Sequence, residues 1–297
     1  MMRIAPTLLV LAASLLSAPV AMALNEYGIE GMGVISSRAD EGRATISADG
    51  QRIVFARRGE AGWALWQARL ADGRWQDAQA LPVTVVGDAR DPYFSRDGRW
   101  LLFAAGREGQ LALYRAAVTA DGRLGTPQPM AGSGGRAERG PALSVDGRWL
   151  LFARQQGRGA GWDLFVAALD AHGARGPAVA LTALNSAADE TDGDWLGSGG
   201  AVAFSRGSGE TAQVWTSQCA WTGAGAQPLA LSFNQDSGWT AAPVLDNAKP
   251  GEMMVASSAA RAPRAGGVDV YRLAVPKVTP VAGCLPQATP APVGDAP

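Results

Sequence analysis

One stretch of twelve residues, Tyr93-Phe94-Ser95-Arg96-Asp97-Gly98-Arg99-Trp100-Leu101-Leu102-Phe103-Ala104, recurs twice more in the chain. The second copy is Ala142-Leu143-Ser144-Val145-Asp146-Gly147-Arg148-Trp149-Leu150-Leu151-Phe152-Ala153. The third is Thr45-Ile46-Ser47-Ala48-Asp49-Gly50-Gln51-Arg52-Ile53-Val54-Phe55-Ala56. Asp-Gly between two apolar runs is a hairpin signal, because glycine accepts positive φ without steric cost. Copies set 48 and 49 residues apart mark a repeat array, and the repeat governs what the chain can fold into.

Each repeat reads as four short strands. The second strand carries an anchor, at Phe55, Phe103, Phe152, Phe204 and Val255. The third strand recurs as Leu65-Trp66, Leu113-Tyr114, Leu164-Phe165, Val214-Trp215 and Val270-Tyr271. A second turn family follows at Gly73, Gly122, Gly173 and Gly223. The fourth strands, such as Ala80 to Val83 and Val179 to Leu181, are loosely marked, and their prolines suit an outer edge. The expected fold is therefore all-β, a β-propeller of four-stranded antiparallel blades. Five repeats are visible, and six-bladed closure is left open. A β-sandwich does not explain two turn families and one anchor on a shared period. The fourth and fifth repeats lose the Ser-x-Asp-Gly turn, to Trp195-Leu196-Gly197-Ser198-Gly199-Gly200 and Val244 to Gly251.

Two segments compete to close the ring, Val34 to Ser37 and Lys277 to Gly283. The two cysteines, Cys219 and Cys284, bear on the choice. Cys219 precedes a turn on the Asp-Gly face, and closure by the N-terminus brings Cys284 to that same face. A Cys219–Cys284 disulfide would therefore mark N-terminal closure.

Met1-Met2-Arg3, the apolar Ile4 to Val20 and Ala21-Met22-Ala23 read as a signal peptide over residues 1–23. The propeller is expected over 24–284 and a disordered Pro-rich tail over 285–297. No later stretch is apolar enough to span a bilayer. The expected compartment is periplasmic or secreted, where disulfides persist. A net charge of −1 offers no basic excess for a phosphate backbone, so nucleic acid is excluded as a partner class.

Residues 34–283 resemble the TolB-type propeller repeats of bacterial envelope proteins. The resemblance rests on Phe94 to Phe103 with Leu113-Tyr114, on Leu143 to Trp149 with Gly161 to Phe165, and on Gly266-Gly267-Val268-Asp269-Val270-Tyr271. It implies an exported protein-interaction platform. TolB itself adds an N-terminal α/β domain, for which this chain has no room, and is usually six-bladed.

Strand parity puts the short Gly turns on one face and the longer loops on the other. Binding groups are expected on the loop face. Its between-blade loops are acidic, with Asp40, Asp88, Asp91, Glu138, Asp189, Asp192 and Asp236. Its second-to-third-strand loops are basic, with Arg57, Arg107, Arg154 and Arg206. Most tryptophans read as blade packing, and Trp239, in a between-blade loop, is the one expected as a binding contact. The bland alternative is that these acids and bases pair with one another and merely hold loops in place. Asp189-Glu190-Thr191-Asp192-Gly193-Asp194 is rich in oxygen but lacks a calcium-loop spacing, so no metal or cofactor is expected. No Gly-x-Ser-x-Gly elbow occurs, and the single histidine, His172, falls in a turn on the face away from the loops. The expected function is a non-enzymatic, monomeric propeller that binds an envelope or periplasmic protein. The alternative is a glycan-binding or glycan-cleaving propeller using carboxylates at the channel mouth.

Overall fold

The structure, a computed structural model, describes residues 26–284 apart from 158–159, 171, 233, 235–237, 260–263 and 280. The signal peptide, Asp236 and the C-terminal tail lie outside the described residues.

Five four-stranded antiparallel sheets form a five-bladed β-propeller. The first blade is built from Glu41–Ile46, Arg52–Gly59, Gly62–Ala71 and Arg74–Ala80. The second uses Asp88–Phe94, Trp100–Gly106, Ala112–Ala117 and the two-residue edge Gln128–Pro129. The third uses Glu138–Leu143, Trp149–Gln155, Trp162–Leu169 and Arg175–Ala180. Glu190–Trp195, Val202–Arg206, Gln213–Ser217 and Gln227–Pro228 make the fourth. The fifth takes Thr240–Leu245, Glu252–Ser257 and Asp269–Ala274 from the C-terminal side. Its outer strand, Glu26–Ile29, comes from the N-terminal side and pairs antiparallel with Asp269–Ala274.

The Ser-x-Asp-Gly turns form for a local reason. Ser95 Oγ donates to Asp97 Oδ1 at 2.6 Å, and the same carboxylate oxygen accepts the Arg99 N–H at 3.0 Å. Ser144 and Asp146 repeat the pair at 2.6 Å and 3.1 Å. Gly98 and Gly147 sit at φ 71° and 70°, where a Cβ would be strained. The side chains thus satisfy backbone donors that the tight turn leaves free.

The five anchors occupy one rung. Phe55 pairs with Trp66, Phe103 with Tyr114, Phe152 with Phe165, Phe204 with Trp215 and Val255 with Tyr271. Every anchor is buried. This single rung explains the period seen in the sequence, because each blade must fill the same wedge against the next.

Ring closure falls to the N-terminal side, but through different residues from those expected. Val34 to Ser37 is not the closing strand. Val34 and Ile35 N–H both donate to Gly31 O, which folds the segment into a turn, and the fully buried Ile35 plugs the seam between the first and fifth blades. Lys277 to Gly283 forms no strand among its described residues. The seam is further tied by Arg272, which reaches Glu30 at 2.5 Å and both Asp246 and Glu252 at 2.6 Å. Burial would lower the Arg272 pKa, but Glu30 and Asp246 outweigh it and hold the guanidinium charged. Cys219 and Cys284 are bridged, with Cα atoms 5.5 Å apart. Bridge and N-terminal closure therefore occur together.

Two outcomes follow from this architecture. Replacing Phe152 by Ala removes a fully buried ring from a shared rung, and is expected to cost about 3–5 kcal/mol in urea-denaturation midpoints at constant slope. The bridge closes a separation of 65 residues, so Cys219→Ser with Cys284→Ser is expected to lower stability by about 2–4 kcal/mol, read by the same titration.

Candidate functional site

The loop-face charges resolve into two repeated devices. In the first, a glutamate opening the inner strand grips an arginine on the second strand. Glu41 binds Arg57 at 2.8 Å, Glu138 binds Arg154 at 2.7 Å and Glu190 binds Arg206 at 2.8 Å. All three glutamates are fully buried. Each guanidinium also lies over its blade's anchor rung: Arg57 on Phe55 and Trp66, Arg154 on Phe152 and Phe165, Arg206 on Phe204 and Trp215. Each then donates to a carbonyl of the preceding connection, at Val34, Gly132 and Leu184. Burial pushes the Glu41 carboxyl up, and hydrogen bonds from Ser37 and Arg57 pull against that rise. The second blade puts Ala89 and Ala105 at this rung, and the fifth puts Thr240 opposite Ser257.

In the second device, an aspartate reaches back to the preceding blade. Asp88 Oδ1 accepts the Trp63 N–H at 3.2 Å, and Asp189 Oδ1 accepts the Trp162 N–H at 2.9 Å. Asp40 Oδ1 sits against Gly267 at the matching position of the seam. These acids anchor the hairpin of one blade to the start of the next.

The structure thus draws Glu138, Arg57, Arg154 and Arg206 into the scaffold itself, while Asp88 and Asp189 each commit one carboxylate oxygen to it and, like Asp40, stay half-buried. Arg107 is exposed on its hairpin. Trp239 is half-buried, its backbone N–H held by Ser258 Oγ at 2.9 Å.

The remaining two acids meet in the central channel. Each inner strand carries a β-bulge, seen as a register shift in all five blades. Asp91 and Asp192 occupy it with φ of 56° and 49°, a region few non-glycine residues adopt. Both side chains turn to the axis and are 3 % and 2 % exposed. Between them lies Arg139, which the sequence reading did not single out. Its Nε and Nη2 contact Asp91 at 3.0 and 3.1 Å, and Nη2 also reaches Asp192 at 3.2 Å. Burial alone would raise Asp91. Arg139, Arg90 and Arg43 outweigh it and hold the carboxyl below the usual range. The signal that could have found Arg139 is its place beside Glu138, one residue before the bulge position that carries aspartate in two other blades.

The acid-rich stretch 189–194 does not converge. Asp189 faces the preceding blade, Asp192 faces Arg139, and Asp194 accepts the Trp195 and Leu245 N–H groups at 2.8 Å each. Among the described residues no group of three or more His, Cys, Asp or Glu is placed to hold a metal ion.

No protein-family model matches this sequence, and no curated protein matches it significantly. Solved structures do match its fold. An endo-arabinase from Bacteroides thetaiotaomicron aligns with a TM-score of 0.57 at 14% identity, covering 86% of this chain and 99% of the other. A putative TolB from Agrobacterium tumefaciens aligns with a TM-score of 0.52 at 14% identity, covering 80% and 91%. Regucalcin from the same organism, a calcium-binding protein, aligns with a TM-score of 0.52 at 15% identity, covering 85% and 97%. The likeness is one of propeller fold. TolB-type similarity holds at that level, and these neighbours include an enzyme as well as TolB.

Removing Arg139 leaves two buried carboxylates facing each other across the channel. Arg139→Met is expected to destabilise the fold by about 3–5 kcal/mol at neutral pH. Without that cation burial is opposed only by Arg90 and Arg43, so the folded pKa of Asp91 is expected to rise above its unfolded value and the variant to regain stability as pH falls, opposite in sign to the wild-type contribution of Asp91. Urea titrations at neutral and mildly acidic pH check both size and sign.

Proposed function

We propose that this chain is an exported, non-catalytic propeller that binds a protein partner in the cell envelope. The observation that carries the reading is Arg139 seated between Asp91 and Asp192. Glycoside hydrolysis needs one carboxyl that keeps its proton and another that stays free as base or nucleophile. Here one guanidinium binds both acids and favours the ionised form of Asp91. Of the other described carboxylates, Glu41, Glu138 and Glu190 are committed to the clamps, and Asp88 and Asp189 each tie one oxygen to the preceding blade. A rigid scaffold presenting turns and grooves remains, and such a scaffold serves recognition. Export is supported by the disulfide, together with the basic and apolar start of the sequence.

The test is capture from envelope extract with residues 24–297, followed by reconstitution of the captured protein with the purified chain. The chain's two lysines, Lys249 and Lys277, make amine crosslinking inefficient, so a photoactivated crosslinker is used. A stoichiometric reconstituted complex is the expected result. Turnover of a polysaccharide such as arabinan, abolished by Asp91→Asn with Asp192→Asn, overturns the proposal in favour of a glycan-cleaving propeller.

A further inference from the structure

On the face opposite the loops, a groove of about 740 Å³ runs between the second and third blades. Four arginines line it: Arg96, Arg99, Arg115 and Arg148. Two are neutralised within their own turns, Arg99 by Asp97 at 2.6 Å and Arg148 by Asp146 at 3.3 Å. Those aspartates are also spent on Ser95 and Ser144 and on turn N–H groups, and these bonds outweigh the effect of burial and hold both carboxyls below the usual range. The third acid of the groove, Asp170, accepts the His172 and Ala174 N–H groups at 2.9 and 2.8 Å.

Arg96 and Arg115 stand apart, for neither is ion-paired to a carboxylate among the described residues, and Asp170 acts on Arg115 only through space. Arg115 Nη1 donates to the His172 carbonyl at 3.0 Å, and Arg96 Nη2 donates to the Trp195 carbonyl at 3.2 Å. Arg96 Nε is buried with no hydrogen-bond partner among the described residues. The buried Asp194 acts on Arg96 only through space.

The repeat does not require either arginine. The turn position of Arg96 holds Ala48, Val145, Gly197 and Asn247 in the other blades, aligned by the backbone bonds that close each turn. The rung of Arg115 holds Gln67, Val166, Thr216 and Arg272. Arg272 shows what the scaffold does with a cation there, since it receives three carboxylates. Arg115 is ion-paired to none of the described carboxylates. The second blade alone places arginine at both positions.

Between these cations the floor is aliphatic, with Leu102, Met130, Leu143 and Leu169. Val145 projects at the rim with 42 % of its surface exposed. The one tryptophan lining the groove, Trp100, has its face covered by the Arg115 guanidinium, 4.8 Å from the ring centroid. Sugar rings stack on open aromatic faces, and this one is occupied. Aliphatic side chains flanked by carboxylates match both the floor and its cations.

We infer that this groove binds an acidic peptide segment of a partner protein, with Arg96 and Arg115 gripping carboxylates on either side of an aliphatic residue seated on the floor. The inference rests on the reading of the chain as a protein-binding propeller, and adds the face and the chemistry of the partner.

Fluorescence anisotropy tests it, using a labelled peptide with one leucine amid glutamates and a second in which glutamines replace the glutamates. The acidic peptide is expected to bind, to weaken as salt is raised, and to lose affinity about tenfold in Arg96→Gln and in Arg115→Gln. Arg115→Lys should retain most of the binding, and Arg58→Gln, exposed on the opposite face, should change nothing. Unaltered circular dichroism and melting temperature of each variant exclude misfolding as the cause. Equal affinity for the glutamine peptide, no binding, or indifference to both arginine substitutions overturns the inference. So does displacement of the peptide by trigalacturonate at lower concentration than by unlabelled peptide, which assigns the groove to an acidic glycan. A reconstituted partner complex that survives Arg96→Gln with Arg115→Gln sinks the groove assignment alone and leaves the protein-binding reading standing.

Discussion

Everything in this molecule depends on the pairing of Glu26–Ile29 with Asp269–Ala274. A propeller is a ring, and an unclosed ring leaves the last blade short of a strand and its edge open to other chains. Here strand, cluster and disulfide act together at the seam. The N-terminal strand supplies the missing edge, and Glu30 brings a carboxylate to Arg272 on the neighbouring strand. Trp75 Nε1 of the first blade donates to the other oxygen of Glu30, so one side chain ties both sides of the closure. The Cys219–Cys284 bridge holds the segment after the fifth blade to the fourth.

A distinct set of charges in this protein is internal. The Glu–Arg clamps of three blades and the Asp91–Arg139–Asp192 bridge place ions where water is largely excluded. Such pairs recover their desolvation cost only when geometry and extra hydrogen bonds are good. The clamps meet that condition by stacking the guanidinium on the anchor rung and donating its remaining protons to a carbonyl. A clamp also selects one arrangement of the between-blade connection, because any other leaves a buried ion unpaired. The second and fifth blades, which use two alanines and a Thr–Ser pair instead, show that the fold tolerates their absence at two positions.

Repetition was the most legible part of the sequence. Turn, anchor and third strand recur because every blade solves the same packing problem, and the pairing of Phe55 with Trp66 or Phe152 with Phe165 follows directly. The degraded repeats were legible through their anchors and third strands, Phe204 with Val214-Trp215 and Val255 with Val270-Tyr271. The closing strand was harder to read. Glu26–Ile29 is four residues long and pairs with a strand more than 200 positions away, so nothing local distinguishes it from Val34 to Ser37. The charged loop residues were legible as a set but not by role. Glu41 and Arg57 lie 16 positions apart and meet only because the hairpin between them folds back.

By itself the sequence determined the number of visible repeats, the four-stranded blade, the two turn families and the acid–base segregation of the loops, all of which are set by contacts within about fifty residues. Only the tertiary structure decided which strand closes the ring, that Arg139 lies between Asp91 and Asp192, and that Arg96 and Arg115 share one groove with no ion pair to a described carboxylate. Those facts depend on residues from different blades meeting at the axis or across a seam. Local pattern carries no information about such meetings, since the ring must first close before the groups are brought together.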